Sequence, residues 1–360
     1  MIYKIKQEKY EVCFEVKEGN AFISSGTFGD VSILKSSLFS ARIKQVQNCE
    51  TRYITSCSER FDISVEHYCK YIKFYISFPG ELSGILVVLT GNIDELGISW
   101  SSNVINDNAD WTVMEVTYPV PKFTAERFDL FVPSSCGRVI ENAGKREYNY
   151  HANYPSHTAC MQYFAAYGNM GGLYLGIHDG KGATKNFDVT ISGGKVAITC
   201  LFYGIGAGRG ANLFALYGSL RWQFLNGDWY DASMIYASFV KRDAGWLPAI
   251  GEKGRFDTAD QYKSIPFWIM DYIPNSEEQG DNKPESLSAG GDQYSDDYWY
   301  KAAIELKDAL KTPIAYHVYN WHKIPFNINY PHFNPAKPSY YEGQEALKKH
   351  KIYIMPYIMR

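Results

Sequence analysis

The chain has 360 residues, with 36 Lys and Arg set against 39 Asp and Glu, a net charge of −3 and 46% hydrophobic residues. That length and apolar content suit two hydrophobic cores, and without a basic run the chain lacks the electrostatic footprint of a nucleic-acid partner. Aromatic residues reach 16% of the chain, which fits either ring-rich β-structure or ligands with an apolar face and polar edges, sugars among them.

The opening, MIYKIKQEKYEV, has no apolar h-region and no small-residue cleavage site, so it predicts no secretory signal and a cytoplasmic location. No stretch reaches the roughly 18 apolar residues of a membrane span, so no membrane partner is expected. Seven cysteines, Cys13, Cys49, Cys57, Cys69, Cys136, Cys160 and Cys200, are scattered and form no CxxC pair. They read as reduced thiols rather than a disulfide framework or a zinc site, so no metal is expected.

Through about residue 225 the chain reads as strands. Tyr10–Val16, Cys69–Phe78, Gly84–Leu89, Trp111–Tyr118, Gly172–Ile177, Phe187–Ile191 and Lys195–Tyr203 are short, aromatic or β-branched, and parted by Gly, Asn, Asp and Ser turns. Such spacing without amphipathic helices predicts a large antiparallel β-sandwich over residues 1–225. Within it, His178, Asp179, Gly180 and Lys181 have the wrong spacing for a phosphate loop and read as a sandwich loop reaching toward the mouth of the barrel that the later residues predict. Gly206, Gly208 and Ala211 fit a relaxed dinucleotide pattern, but no crossover helix or second parallel strand follows, so no cofactor is expected.

The period then changes. Trp229, Ala232, Ile235, Tyr236 and Phe239 recur at three- and four-residue spacing, predicting one helix over Asp228–Asp243 inside a connector of residues 226–258. Beyond it, Ile265–Asp271, Pro313–Tyr319 and Ile352–Tyr357 read as buried parallel strands. Between them lie helical patterns at Asp296–Leu310, capped by Ser295 or Asp296, and at Tyr341–His350, whose closing Lys348, Lys349 and His350 complement a helix C-terminus. Strand, helix, strand, helix, strand over residues 259–360 is the opening of a (β/α)8 barrel, which needs eight units over about 250 residues. An incomplete barrel of about three strands is therefore expected.

Ligands of such barrels sit at the C-terminal strand ends. That rule selects Asp271 after the first strand, Asn320, Trp321 and His322 after the second, Tyr330 and His332 in the following loop, and Tyr357 after the third. Asp271 reads as a carboxylate for a substrate hydroxyl, or as a helix-side cap or ion-pair partner. Trp321 reads as a stacking platform or as core, and Tyr330 and His332 as site or loop-packing residues. His317 and His322 lie five apart across a strand end, where alternation sends them to opposite faces and argues against a shared metal. No GxSxG elbow and no Cys/His spacing for acyl transfer is present.

The segments Thr158–Tyr167 (TACMQYFAAY), Gly172–Gly182 (GLYLGIHDGKG), Gly227–Phe239 (GDWYDASMIYASF), Tyr319–Lys337 (YNWHKIPFNINYPHFNPAK) and Ile354–Ile358 (IMPYI) together resemble an uncharacterised bacterial family of glycosidase-like proteins, domain of unknown function 6259. The resemblance covers most of the chain from about residue 150. It implies a galactose-mutarotase-like sandwich followed by a TIM barrel, as in retaining α-glycosidases such as α-galactosidases and endo-α-N-acetylgalactosaminidase. It also implies a carbohydrate partner and two carboxylates as nucleophile and general acid/base. In barrels of that kind these carboxylates come from the fourth strand onward, and Phe326–Tyr330 (FNINY) holds no acid where one is expected. The expectation is the N-terminal portion of a glycoside hydrolase without its catalytic pair. The alternative is a non-catalytic carbohydrate-binding or scaffold protein, or an inactive fragment.

Overall fold

A computed structural model describes residues 1–119, 121–124, 127–214, 216–273, 298–323 and 331–358. The chain divides into two compact units, Met1–Leu247 and Pro248–Arg360.

The first unit is built from two antiparallel sheets. Among the described residues, the larger has twelve strands. Its main path runs from the edge strand Ile2–Lys6 through Tyr10–Lys17 and Asn20–Phe28, then by way of Lys195–Tyr203 and Trp111–Thr117 to Thr51–Thr55. The smaller has nine, with Tyr163–Gly168, Gly171–His178, Ser219–Leu225 and Gly97–Asn106 as successive central neighbours. Alternation fixes which side chains point inward: Ile72, Phe74 and Ile76 of Tyr71–Ser77 are buried, as are Val196, Ile198, Cys200 and Phe202 of Lys195–Tyr203. The two inner faces meet in one cluster, where Phe14 of the larger sheet lies 5.6 Å from Phe74 and 5.7 Å from Trp100 of the smaller. Removing each such ring from water is worth about 1.5–3 kcal/mol.

The helix Trp229–Asp243 forms where the 3.6 period predicts it. Asp228 caps it by accepting the Tyr230 amide at 2.7 Å, and Asp231 returns the contact by accepting the Asp228 amide at 3.0 Å. Its buried residues Ala232, Tyr236 and Phe239 pack with Phe131, Tyr163, Ala165, Tyr167 and Tyr174 on the outer face of the smaller sheet. This explains why Gly171–His178 is buried at seven consecutive positions: one side faces the sandwich core and the other lies under the helix.

The second unit holds a three-stranded parallel sheet in the order Phe267–Tyr272, Ile314–Tyr319, Tyr353–Pro356. Helix Tyr298–Leu310 follows the first of these strands and helix Pro338–Lys349 the second. The predicted caps Ser295 and Asp296 lie outside the described residues. Pro338 sits in the first turn of its helix, where a missing N–H costs nothing, so this helix begins three residues before the spacing alone suggests. Trp299, Ala303, Tyr340 and Leu347 of these helices form a core with Ile314, Tyr316 and Val318 of the middle strand. The helices meet closely at Gly343, where a Cβ would come within 2.1 Å of the Trp299 ring. Among the described residues nothing covers the opposite face, where Met270 is 68% and Met355 40% exposed. Among the described residues, no helix is long and apolar enough to cross a membrane.

Candidate functional site

The open sheet face carries its side chains in rows set by the parallel register. Met270 pairs with His317 and His317 with Met355; one layer further along, Tyr272 pairs with Tyr319. The Tyr272 and Tyr319 rings are 5.0 Å apart, and Tyr319 stacks on Tyr357 with centroids 4.3 Å apart and planes at 17°. His317 sits beneath them, 4.9 Å from Tyr319 and 5.9 Å from Tyr357. Burial lowers the His317 pKa from its ordinary value and so favours the neutral ring. Burial, then the neighbouring Tyr357 and Tyr272 phenols, raise that of Tyr319. The strand ends thus present a stacked aromatic ledge over a neutral imidazole, a surface suited to the C–H face of a ring-shaped ligand.

Behind the ledge, Asn320 turns the chain at φ 53 and its Nδ2 donates to the Ile273 carbonyl at 3.0 Å. Trp321 donates from Nε1 to the Tyr357 carbonyl at 2.8 Å and stacks on Phe333 at 5.8 Å, with Tyr340 5.4 Å away. His322 is buried and bridges to Ala336, while the Lys323 amide donates to Pro335 and the Lys337 amide to Trp321. These contacts tie the two ends of the second strand's long loop together and fix the third strand's end beside them.

The structure therefore brings Asn320, Trp321, His322 and Tyr357 together, with the first three positioning the loop. Asp271 pairs in register with Val318 on the helix-covered face, and its Oδ1 accepts the Tyr272 amide at 2.8 Å. His332 is exposed, and Tyr330 lies outside the described residues. Tyr272, Tyr319 and His317 belong to the ledge but were not singled out by strand-end position. Counting back by two from Tyr319 finds His317, whereas Tyr272 joins the row only through its register with Tyr319.

His178 and Asp179 belong to the first unit. His178 Nε2 lies 3.0 Å from the Tyr174 hydroxyl, and its ring stacks on Phe239 at 4.5 Å. Burial, then Arg221 and Arg242, hold its pKa down to about 4. Asp179 accepts the amides of Lys181 and Ala183 at 2.9 and 2.8 Å and pairs with Lys185 Nζ at 2.9 Å, both side chains being 1% exposed or less. Lys185 also donates to Gln162 Oε1 at 2.8 Å, and burial lowers its pKa against the opposing pull of Asp179. This is a charge pair with its hydrogen bonds satisfied, closing the loop in place. The segment with Gly206, Gly208 and Ala211 folds as a turn closed by the Ile205–Leu213 bridge. Among the described residues, no group of three or more His, Cys, Asp or Glu is placed to hold a metal ion.

A family described as Domain of unknown function (DUF6259) matches residues 214–360. A protein of Monosiga brevicollis described as "Putative glycoside hydrolase 22789" is 26% identical over 228 residues, a match covering 57% of this chain and 18% of that protein. Among solved structures, the α-N-acetylgalactosaminidase NagBb from Bifidobacterium bifidum in its GalNAc complex superposes with a TM-score of 0.67 at 10% identity, covering 98% of this chain and 58% of that one. Its ligand-free form gives 0.63 at 10% identity, covering 99% and 58%. The chain thus spans only part of the proteins it matches. It is glycoside-hydrolase-like in sequence, and its antiparallel sheets resemble the N-terminal sandwich regions of glycosidases.

Proposed function

We propose that the chain is part of a carbohydrate-active glycoside hydrolase, with residues 259–360 as the opening of a (β/α)8 barrel and the catalytic carboxylates supplied by later strands. One observation carries this reading. Phe267–Met270 is apolar at every position, the pattern of a parallel strand covered on both faces, yet among the described residues the helices pack on the face of Ile269, Tyr316 and Val318, with Phe267 at the strand's start exposed, and Met270, Trp268 and Met355 are exposed on the other face. In a barrel that open face is the interior, and Tyr272, Tyr319 and Tyr357 form its ligand-facing rim. The sandwich fold shared with NagBb and the sequence likeness to a glycoside hydrolase support a saccharide as ligand.

The test is turnover of aryl α- and β-glycosides, N-acetylgalactosaminides included, by residues 1–360, joined to a reading of the coding DNA past the Arg360 codon. The reading expects no turnover and further strand–helix units in the DNA. Ordinary turnover by residues 1–360 refutes the placement of the carboxylates. Saccharide binding with no further strand–helix units in any frame instead supports a non-catalytic binding module.

A further inference from the structure

At one end of the sandwich, two turns from different sheets interlock. The turn at Gly29 and Asp30 joins Asn20–Phe28 to Val31–Ile33, and the turn at Asn169 and Met170 joins Tyr163–Gly168 to Gly171–His178. Asp30 Oδ2 accepts the Met170 amide at 2.8 Å, and the Asp30 amide donates to the Gly171 carbonyl at 3.4 Å. There is no room for side chains at the contact. A Cβ on Gly29, whose φ is +53, would lie 2.7 Å from the Met170 carbonyl oxygen, and one on Gly168 would lie 2.5 Å from Asp30 Oδ2. The two turns are thus held as one preorganised backbone surface.

Beside this lock lies a cleft of about 600 Å³, lined by Gly29, Asp30, Ser32, Arg127, Asn169 and Met170, within the size range of small-molecule sites. Among the described residues, the Arg127 guanidinium, the Asn169 amide and the Ser32 hydroxyl make no hydrogen bond or ion pair, and Asp30 keeps Oδ1 free while Oδ2 holds the turn. Four polar groups of mixed type therefore line one concavity, three with their hydrogen-bonding capacity unspent and Asp30 with one oxygen to spare. Their signs narrow the ligand. The Asp30 carboxylate opposes an anion drawn to Arg127, and Arg127 opposes a cation drawn to Asp30. A neutral polyol satisfies both, because a vicinal diol accepts from the guanidinium fork while donating to a carboxylate oxygen. The exposed Met170 side chain adds a soft apolar wall for ring C–H groups.

We propose that this cleft is a subsite for a neutral pyranoside on the sandwich, separate from the tyrosine ledge. Its ligand class accords with the carbohydrate reading above, but its location depends only on the first unit. The test is saturation-transfer NMR on the full 360-residue chain with methyl α-galactoside, methyl α-N-acetylgalactosaminide and methyl α-glucoside as probes and inorganic sulfate as competitor. At least one pyranoside is expected to bind, tenfold or more weaker in both Arg127→Ala and Asn169→Ala, unchanged in Tyr357→Ala and undisturbed by sulfate. Both substituted cleft residues are exposed, so unaltered melting temperatures check that the variants fold. Absence of pyranoside binding, equal binding in the two cleft variants, or displacement by sulfate overturns the proposal. Binding lost in Tyr357→Ala but kept in both cleft variants also overturns it, while leaving the barrel reading intact.

Discussion

The two units use similar side chains to opposite ends. In the sandwich, Phe14, Phe74, Trp100 and Trp222 meet across two sheets with no exposure, and where the smaller sheet turns its back on that core the helix Trp229–Asp243 covers it. In the second unit the helices cover one face, and the other leaves Trp268, Met270, Tyr353 and Met355 in contact with solvent. A strand apolar on both parities is composed for two covers. The sandwich supplies both from its own chain, whereas among the described residues the parallel sheet has a cover on one face only.

The difference is measurable residue by residue. Trp222→Ala, which empties the sandwich core, is expected to destabilise the first unit by about 3–5 kcal/mol in a denaturant titration followed by signals from that unit; a loss well under this range would mean the two sheets do not share one packed core. The next effect is acid sensitivity. His178 in the folded chain takes a proton only below about 4, whereas the unfolded chain takes one near 6.5. Lowering the pH from 6.5 to 4 therefore favours the unfolded state by on the order of 3 kcal/mol, and that contribution is fully relieved above 6.5. Arg221 and Arg242 act with burial to keep the ring neutral, and Asp243 acts against them. His178→Phe should flatten this part of the pH–stability curve; an unchanged slope would contradict the buried, neutral imidazole.

In the second unit, Trp321→Ala removes the Phe333 and Tyr340 contacts and the hydrogen bond to Tyr357. A loss of about 2–4 kcal/mol confined to that unit is expected, read by hydrogen exchange in Ile314–Tyr319. The smallest effect belongs to the open face. Met270→Ser and Met355→Ser should change stability by less than about 0.5 kcal/mol while reducing self-association in sedimentation, since an uncovered apolar face invites pairing. A large destabilisation there would show that the face is already packed.

Legibility in the sequence followed the number of covered faces. Strands with one clean alternation, such as Lys195–Tyr203, and the apolar runs of the second unit could be read directly. Asp62–Tyr68 is less visible: Ile63 and Val65 alternate with Asp62, Ser64 and Glu66, but two apolar residues are a weak signal in an edge strand whose charged side chains resist pairing. Gly97–Asn106 was equally hidden, because Ser99, Ser101, Ser102 and Asn103 read as turn residues, although Trp100 and Ile98 anchor the core. Strand-end position found the loop that holds Asn320, Trp321 and His322, but not the ledge. Which face a residue joins depends on register between strands, and register is a tertiary fact. The cleft at Asp30 and Arg127 was not legible for the same reason, since it joins turns 140 residues apart in sequence.

Hydroxyl-radical footprinting tests the contrast most directly, with Met170 of the sandwich turn as the exposed standard and Trp222 as the buried one. The account predicts that Met270 and Met355 oxidise at rates approaching that of Met170, while Trp299 and Tyr316 on the helix-covered side stay as protected as Trp222. Protection of Met270 and Met355 to the level of Trp222 would mean that the sheet already has its second cover, and the reading of this unit as the opening of a barrel would fail.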